Sequence, residues 1–145
     1  MIPQINILTV VDVIGALSAG TLTNNLYMMD NRRGSRTSGL GTGTLSSDVT
    51  YTQVLNWHVI PVDFQTDIQI RKIAFYRNGV PVARANTPCA RLQKYGAPSG
   101  QYWAGVINYQ SQIEGGVYQY LIEFDMGNRV MTMENFATIN INAAY

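Results

Sequence analysis

Alternation of apolar and polar residues with a period of two runs through most of this chain, and it restricts the fold more than any other feature. In a strand, successive side chains point to opposite faces, so such alternation marks a ribbon with one buried face. The clearest case is Val117 to Met126: Tyr118, Tyr120, Ile122, Phe124 and Met126 share one face, while Gln119, Glu123 and Asp125 share the other with Leu121. No window of helical length keeps a 3.6-residue period.

Turn signals cut the alternating stretches into short strands. Asn78-Gly79 is a strong two-residue turn joining Ile68–Arg77 to Val80–Ala85, and Pro81 marks the second arm as an edge or a very short strand. Ile68 and Ile70 are even whereas Ile73 and Phe75 are odd, so the phase slips at Arg71-Lys72, as a β-bulge requires. Thr50 to Val59 reads as one strand with Leu55, Trp57 and Val59 aligned, and Asn56 and His58 facing the other way. Gly115-Gly116 and Gly127-Asn128 predict hairpins linking Tyr102–Ile113, Val117–Met126 and Arg129–Ile141 into an antiparallel meander. In the last segment Met131, Met133, Ile139 and Ile141 share a parity.

The expected architecture is an all-β, antiparallel β-sandwich of about seven or eight strands, with a β-barrel as the alternative. Polar faces argue against a parallel sheet, whose strands are apolar throughout. A chain of 145 residues is read as one domain over 1–145. Apolar residues make up 46% and charged ones 13%, a balance that excludes disorder. Two long loops are expected, Thr21 to Asp48 and Ala85 to Gly100.

A net charge of +1 gives no reason to expect nucleic acid or a membrane as partner. No segment approaches the roughly 18 apolar residues of a spanning helix. The N-terminal MIPQINILTVVDVIGAL lacks the basic region of a signal peptide and alternates as a strand does. The chain is therefore read as cytoplasmic, unless it is exported by a route that leaves no N-terminal mark. Only Lys72 and Lys94 are lysines, and Asn, Gln, Thr and Ser fill the polar faces. Exposed sheet edges are usually guarded by lysine and net charge, so this surface favours self-association.

No catalytic constellation is visible. His58 is the single histidine, and its place in a strand beside Trp57 fits a structural or surface role better than general-base work. Cys89, the one cysteine, excludes an internal disulfide and reads as a small buried hydrophobe. One histidine and one cysteine do not make a zinc site, and the Asp-rich spacing of a calcium loop is missing around Asp30-Asn31. Gly34, Gly39, Gly41 and Gly43 lack the Gly-Lys-Ser/Thr ending of a phosphate loop. Asp63, Asp67, Glu123 and Asp125 read as turn formers or solvated charges. No cofactor and no metal is expected. Arg32, Arg33 and Arg36 form a basic cluster whose simple reading is a solvated loop and whose sharper one is an anion site. Tyr95, Tyr102 and Trp103 gather near a Gly/Pro/Ser turn, where exposed rings stack on sugars or partners; the plainer reading has Trp103 and Tyr109 filling the core. The binding candidates are Asp30, Asn31, Arg32 and Tyr102.

The run VDVIGALSAGTLTNNLYMMDN (Val11 to Asn31), followed in order by GSRTSGLGTGT, LNWHVIPVD and YWAG, resembles the AidA/PixA family of bacterial inclusion-body proteins. The likeness extends from about Val11 to the C-terminus. It implies a small β-sandwich from host-associated bacteria, made late in growth or under quorum sensing, and in some members stored as methionine-rich cytoplasmic inclusions. Six methionines are a modest content by that measure. The family carries over no catalytic residues. Two functions follow as expectations: a non-enzymatic protein that forms homodimers or larger assemblies, or a carbohydrate-binding, lectin-like module.

Overall fold

A computed structural model describes residues 4–32, 37–63, 66–96, 101–109 and 112–142. Its elements run β1 (Ile5–Val11), α1 (Val13–Ala19), β2 (Leu26–Asp30), β3 (Thr37–Ser38), β4 (Ser46–Thr50), β5 (Val54–Pro61), β6 (Gln69–Arg77) and β7 (Val80–Pro81). A 3₁₀ turn at Arg84–Asn86 precedes β8 (Cys89–Tyr95), β9 (Tyr102–Ile107), β10 (Gly116–Met126), β11 (Arg129–Thr132) and β12 (Ala137–Asn142). Two sheets form a sandwich. One has the order β2-β1-β5-β9-β8, and the other has the order β3-β4-β12-β10-β6-β7 with β11 also on β10. The β-sandwich class holds, and neither sheet closes into a barrel.

The alternating faces behave as their periodicity requires. Tyr118, Tyr120, Ile122, Phe124 and Met126 are buried from β10, and Leu55 and Trp57 from β5. Trp57 is the centre of the core. Its ring meets Phe75 at 6.3 Å and Tyr120 at 5.8 Å, both edge to face, so it joins the two sheets. The predicted bulge is present: Glu123 pairs with Lys72 and Phe124 with Ile70, leaving Arg71 as the extra residue. Asn78 and Gly79 make their turn with φ of 53° and 77°, both left-handed as a hairpin of this twist demands.

Several expectations are corrected. Only the second half of the meander forms: Gly127-Asn128 turns β10 into antiparallel β11 as expected, but β9 pairs with β5 and β8 in one sheet while β10 pairs with β6, β11 and β12 in the other. Gly115-Gly116 lets the chain cross between sheets instead of turning a hairpin. A Cβ at Gly115 would lie 2.6 Å from Tyr51 Oη and 3.1 Å from Ile141 O, so only glycine fits this crossing. Thr50 to Val59 is likewise not one strand. The chain turns through Tyr51 and Thr52 (φ 69°) from β4 in one sheet to β5 in the other. Arg129–Ile141 divides into β11 and β12, which pair with opposite ends of β10. The two expected loops carry strands β2, β3 and β4, and β8, respectively. Two pairings, β1 with β5 and β4 with β12, are parallel.

Helix α1 is the element that alternation missed. Asp12 accepts a hydrogen bond from Gly15 N at 3.0 Å as its N-cap, and Gly20 closes it with φ 74°. Seven residues make under two turns, too few to display a helical period. Val13 and Ala16 point into the core, so the Val13 expected on the first strand is helical instead. No helix among the described residues is long and apolar enough to cross a membrane.

Candidate functional site

Asp30, at the end of β2, pairs in register with Ile7 and therefore faces inward. Its Oδ2 accepts hydrogen bonds from Thr37 Oγ1 on β3 and Ser47 Oγ on β4, and its Oδ1 accepts one from Arg32 N at 3.0 Å. The carboxylate thus fastens the edge of one sheet to the edge of the other. Asn31 continues the β1–β2 ladder with its side chain, accepting from Asn6 N at 2.9 Å and donating to Gln4 O at 3.2 Å. Arg32 donates Nε–H to Asp48 O at 3.0 Å. These three residues act together as a seam. Tyr102 lies on β9, separated from β2 by β1 and β5, so the four candidates do not converge. Arg33, Gly34 and Arg36 lie outside the described residues.

Tyr102 belongs to a different surface. Its ring is stacked between His58 at 5.1 Å and Tyr95 at 5.8 Å, three neighbours across β5, β9 and β8 on the outer face of the five-stranded sheet. Pairing registers extend this row through Leu8 to Met29. Adjacent rows hold Asn6, Asn56, Ala104 and Gln93 on one side, and Val10, Ile60 and Tyr27 on the other. Asn56 donates to Gln4 Oε1 at 2.9 Å and Asn6 Oδ1 at 3.0 Å, so its amide N–H groups are paired within the face. None of these outward positions is charged. The outer face of the other sheet carries Asp48, Arg71, Lys72, Glu123 and Asp125. All-β folding made both faces polar in pattern, but the first holds a single charge, Arg91 at its β8 margin beside Asn56 and Tyr102, and the second holds five.

A separate cleft of about 230 Å³ is lined by Thr23, Asn24, Tyr27, Thr42, Glu134 and Asn135, among others. Glu134 accepts hydrogen bonds from the hydroxyls of Thr21 and Thr23, which hold its carboxyl below the usual range. Sequence reasoning pointed to the Thr21–Asp48 stretch but missed Glu134 and Asn135, which arrive from the turn after β11.

The reactive groups are muted. Burial pushes the Cys89 thiol up to about 12, far from thiolate chemistry, and the sulfur packs against Gly105. Burial also lowers His58 from its ordinary value, and its ring is occupied by Tyr102. Trp57 fills the core and Trp103 is half-buried, with its indole N–H donating to Ile70 O at 2.8 Å. Tyr109, expected in the core, is instead 62% exposed, because it follows the end of β9. Among the described residues no three of His, Cys, Asp and Glu converge as metal ligands.

With this geometry in hand, the chain can be set beside known proteins. A family described as a domain of unknown function, DUF8788, matches residues 3–132. The chain belongs to the DUF8788 family. Its fold is similar to the crystal structure of the PixA inclusion body protein from Burkholderia cenocepacia J2315, with a TM-score of 0.67 and 15% identity. That likeness covers 99% of this chain and 97% of the other, so the expected PixA-like fold is present throughout. An endo-fucoidan hydrolase of glycoside hydrolase family 107 overlaps at a TM-score of 0.38 and 12% identity, over 81% of this chain and 17% of that one. That overlap bears on neither fold nor function. No curated protein matches the DUF8788 chain.

Proposed function

We propose that this protein is a non-enzymatic, self-associating protein of the inclusion-body type, which forms homodimers or larger assemblies through the outer face of its five-stranded sheet. The scarcity of charge on that face, where Arg91 at the β8 margin is the one ionised side chain among the described outward positions, carries the reading. Five strands spaced about 4.8 Å apart make a surface roughly 20 Å across. Tyr27, Ile60 and Tyr95 on it are 41%, 46% and 38% exposed. Contiguous exposed apolar patches larger than a few hundred Å² mark association surfaces. A two-fold contact of this face with itself brings in only Arg91, at the β8 margin, whereas the other sheet's face would bring in five charged side chains. The host-associated, late-growth setting implied by the AidA/PixA resemblance goes with this reading, as does a cytoplasmic deposit.

Sedimentation at micromolar concentration is expected to give a dimer or larger species. Leu8→Lys combined with Ile60→Lys, both outward-facing, is expected to release monomers with an unchanged far-UV spectrum. A wild-type protein that sediments as a monomer at every concentration would sink the reading.

Carbohydrate recognition is the second reading, favoured by the cleft beside Tyr27 with its hydroxyl and amide lining. The His58–Tyr102–Tyr95 row is the poorer sugar platform, since its ring faces are spent on one another. A glycan array should give hits that Asn135→Ala abolishes; a silent array removes this alternative.

A further inference from the structure

A slot of about 720 Å³ opens along the side of the sandwich where β8, the edge of one sheet, faces β6 and β7 of the other. Its floor is core surface: Ile73, Phe75 and Cys89 are buried there, with Val82 and Leu92 packed against them. Lys72 to Tyr76 of β6 form one wall, and the 3₁₀ turn supplies Arg84 near β7. Lys72, Arg84 and Arg91 all line the slot, and no Asp or Glu does. Among the described residues neither Arg84 nor Arg91 has an ion-pair partner.

Arg91 also holds an uncommon backbone conformation. It sits at φ 56° in a bulge of β8 between Ala90 and Gln93. Left-handed backbone disfavours a side chain other than glycine's, and bulges re-aim the residues they contain. Left-handed residues that persist in this way cluster at ligand sites.

An apolar trough rimmed by cations, without a compensating carboxylate, is complementary to a molecule with an alkyl chain and one negative end. We propose that the slot binds a single-chain amphiphile, a fatty carboxylate, with its chain on Ile73, Phe75, Val82 and Leu92 and its head on Arg84 and Arg91. Slots of several hundred Å³ are of the size that buries one such ligand. The guanidinium fork matches a carboxylate geometrically and stays charged at any physiological pH.

Calorimetric titration of the full chain with laurate below its micelle concentration tests this. Saturable binding of one laurate per chain is expected, weakened at least tenfold in the double variant Arg84→Glu, Arg91→Glu. Both arginines are exposed, so the variant should melt as the wild type does. Dodecyltrimethylammonium, with the same chain and opposite charge, should bind at least tenfold more weakly, and inorganic phosphate alone should not saturate. The proposal is overturned by absent laurate binding, by equal binding of the two amphiphiles, by indifference to the charge reversal, or by a phosphate site that needs no chain. Arg91 stands where the slot meets the sheet face, but Leu8 and Ile60 line no part of the slot, so the Leu8→Lys, Ile60→Lys protein should still bind laurate. The two readings therefore fail separately.

Discussion

Replacing Trp57 with alanine is expected to lower the unfolding free energy by about 3–5 kcal/mol, measured as a shift of the urea midpoint at constant slope. The indole is fully buried on the central strand of the five-stranded sheet, where it contacts Phe75 and Tyr120 from the opposite sheet. Its removal leaves a cavity that two pleated layers cannot close, because each is held at its spacing by other contacts. Total stability of a domain this size is about 5–15 kcal/mol, so the variant is expected to be marginal at body temperature. Trp57→Phe should recover most of the loss, since a smaller ring still bridges the sheets. A loss below about 1 kcal/mol for Trp57→Ala would mean that the two layers are not joined through this residue.

The second large effect is at Asp30. Asp30→Ala is expected to cost about 2–4 kcal/mol, because hydrogen bonds to a charged acceptor are worth more than neutral ones and their donors are left unpaired. Thr37 Oγ1, Ser47 Oγ and Arg32 N all lose an acceptor at one side of the sandwich, and Ser47 is fully buried. Hydrogen exchange should then quicken in β3 and β4 before it does in β10. A stability within about 0.5 kcal/mol of wild type would overturn the structural role and return Asp30 to the pool of free ligand-binding carboxylates.

Asp30 shows what could and could not be read in advance. The apolar run Leu26 to Met29 ends on Asp30-Asn31 before a Gly/Arg/Ser/Thr-rich stretch. That signal marks a place where a strand stops, and it is shared by binding loops and by seams. Only the inward register opposite Ile7 distinguishes the two. Tyr102 does stack on Tyr95, the near neighbour in the group of aromatics, but its other partner is His58 on β5, which no local pattern places beside it. The cleft needed Glu134 and Asn135 beside Thr23, and no local pattern announces a meeting across more than a hundred residues.

Glycine pairs show the same division. Asn78-Gly79 is a hairpin turn because the twist of the two strands it joins demands left-handed residues, a local requirement. Gly115-Gly116 carries an equally strong turn signal, but Tyr51 and Ile141 crowd it from elsewhere in the fold. The first could be placed from neighbours in the chain; the second was assigned the right break and the wrong destination.

Period-two alternation by itself determined that this chain forms pleated ribbons, which side of each is buried, and even the slipped phase at Arg71. Those properties follow from the geometry of adjacent residues on one strand. Which sheet each ribbon joins, which pairings are parallel, and that most charges collect on one outer face while the other keeps only Arg91 at its margin were decided by tertiary structure. Strand partners are chosen by complementarity between surfaces far apart in sequence, and a period of two is the same whichever partner is chosen.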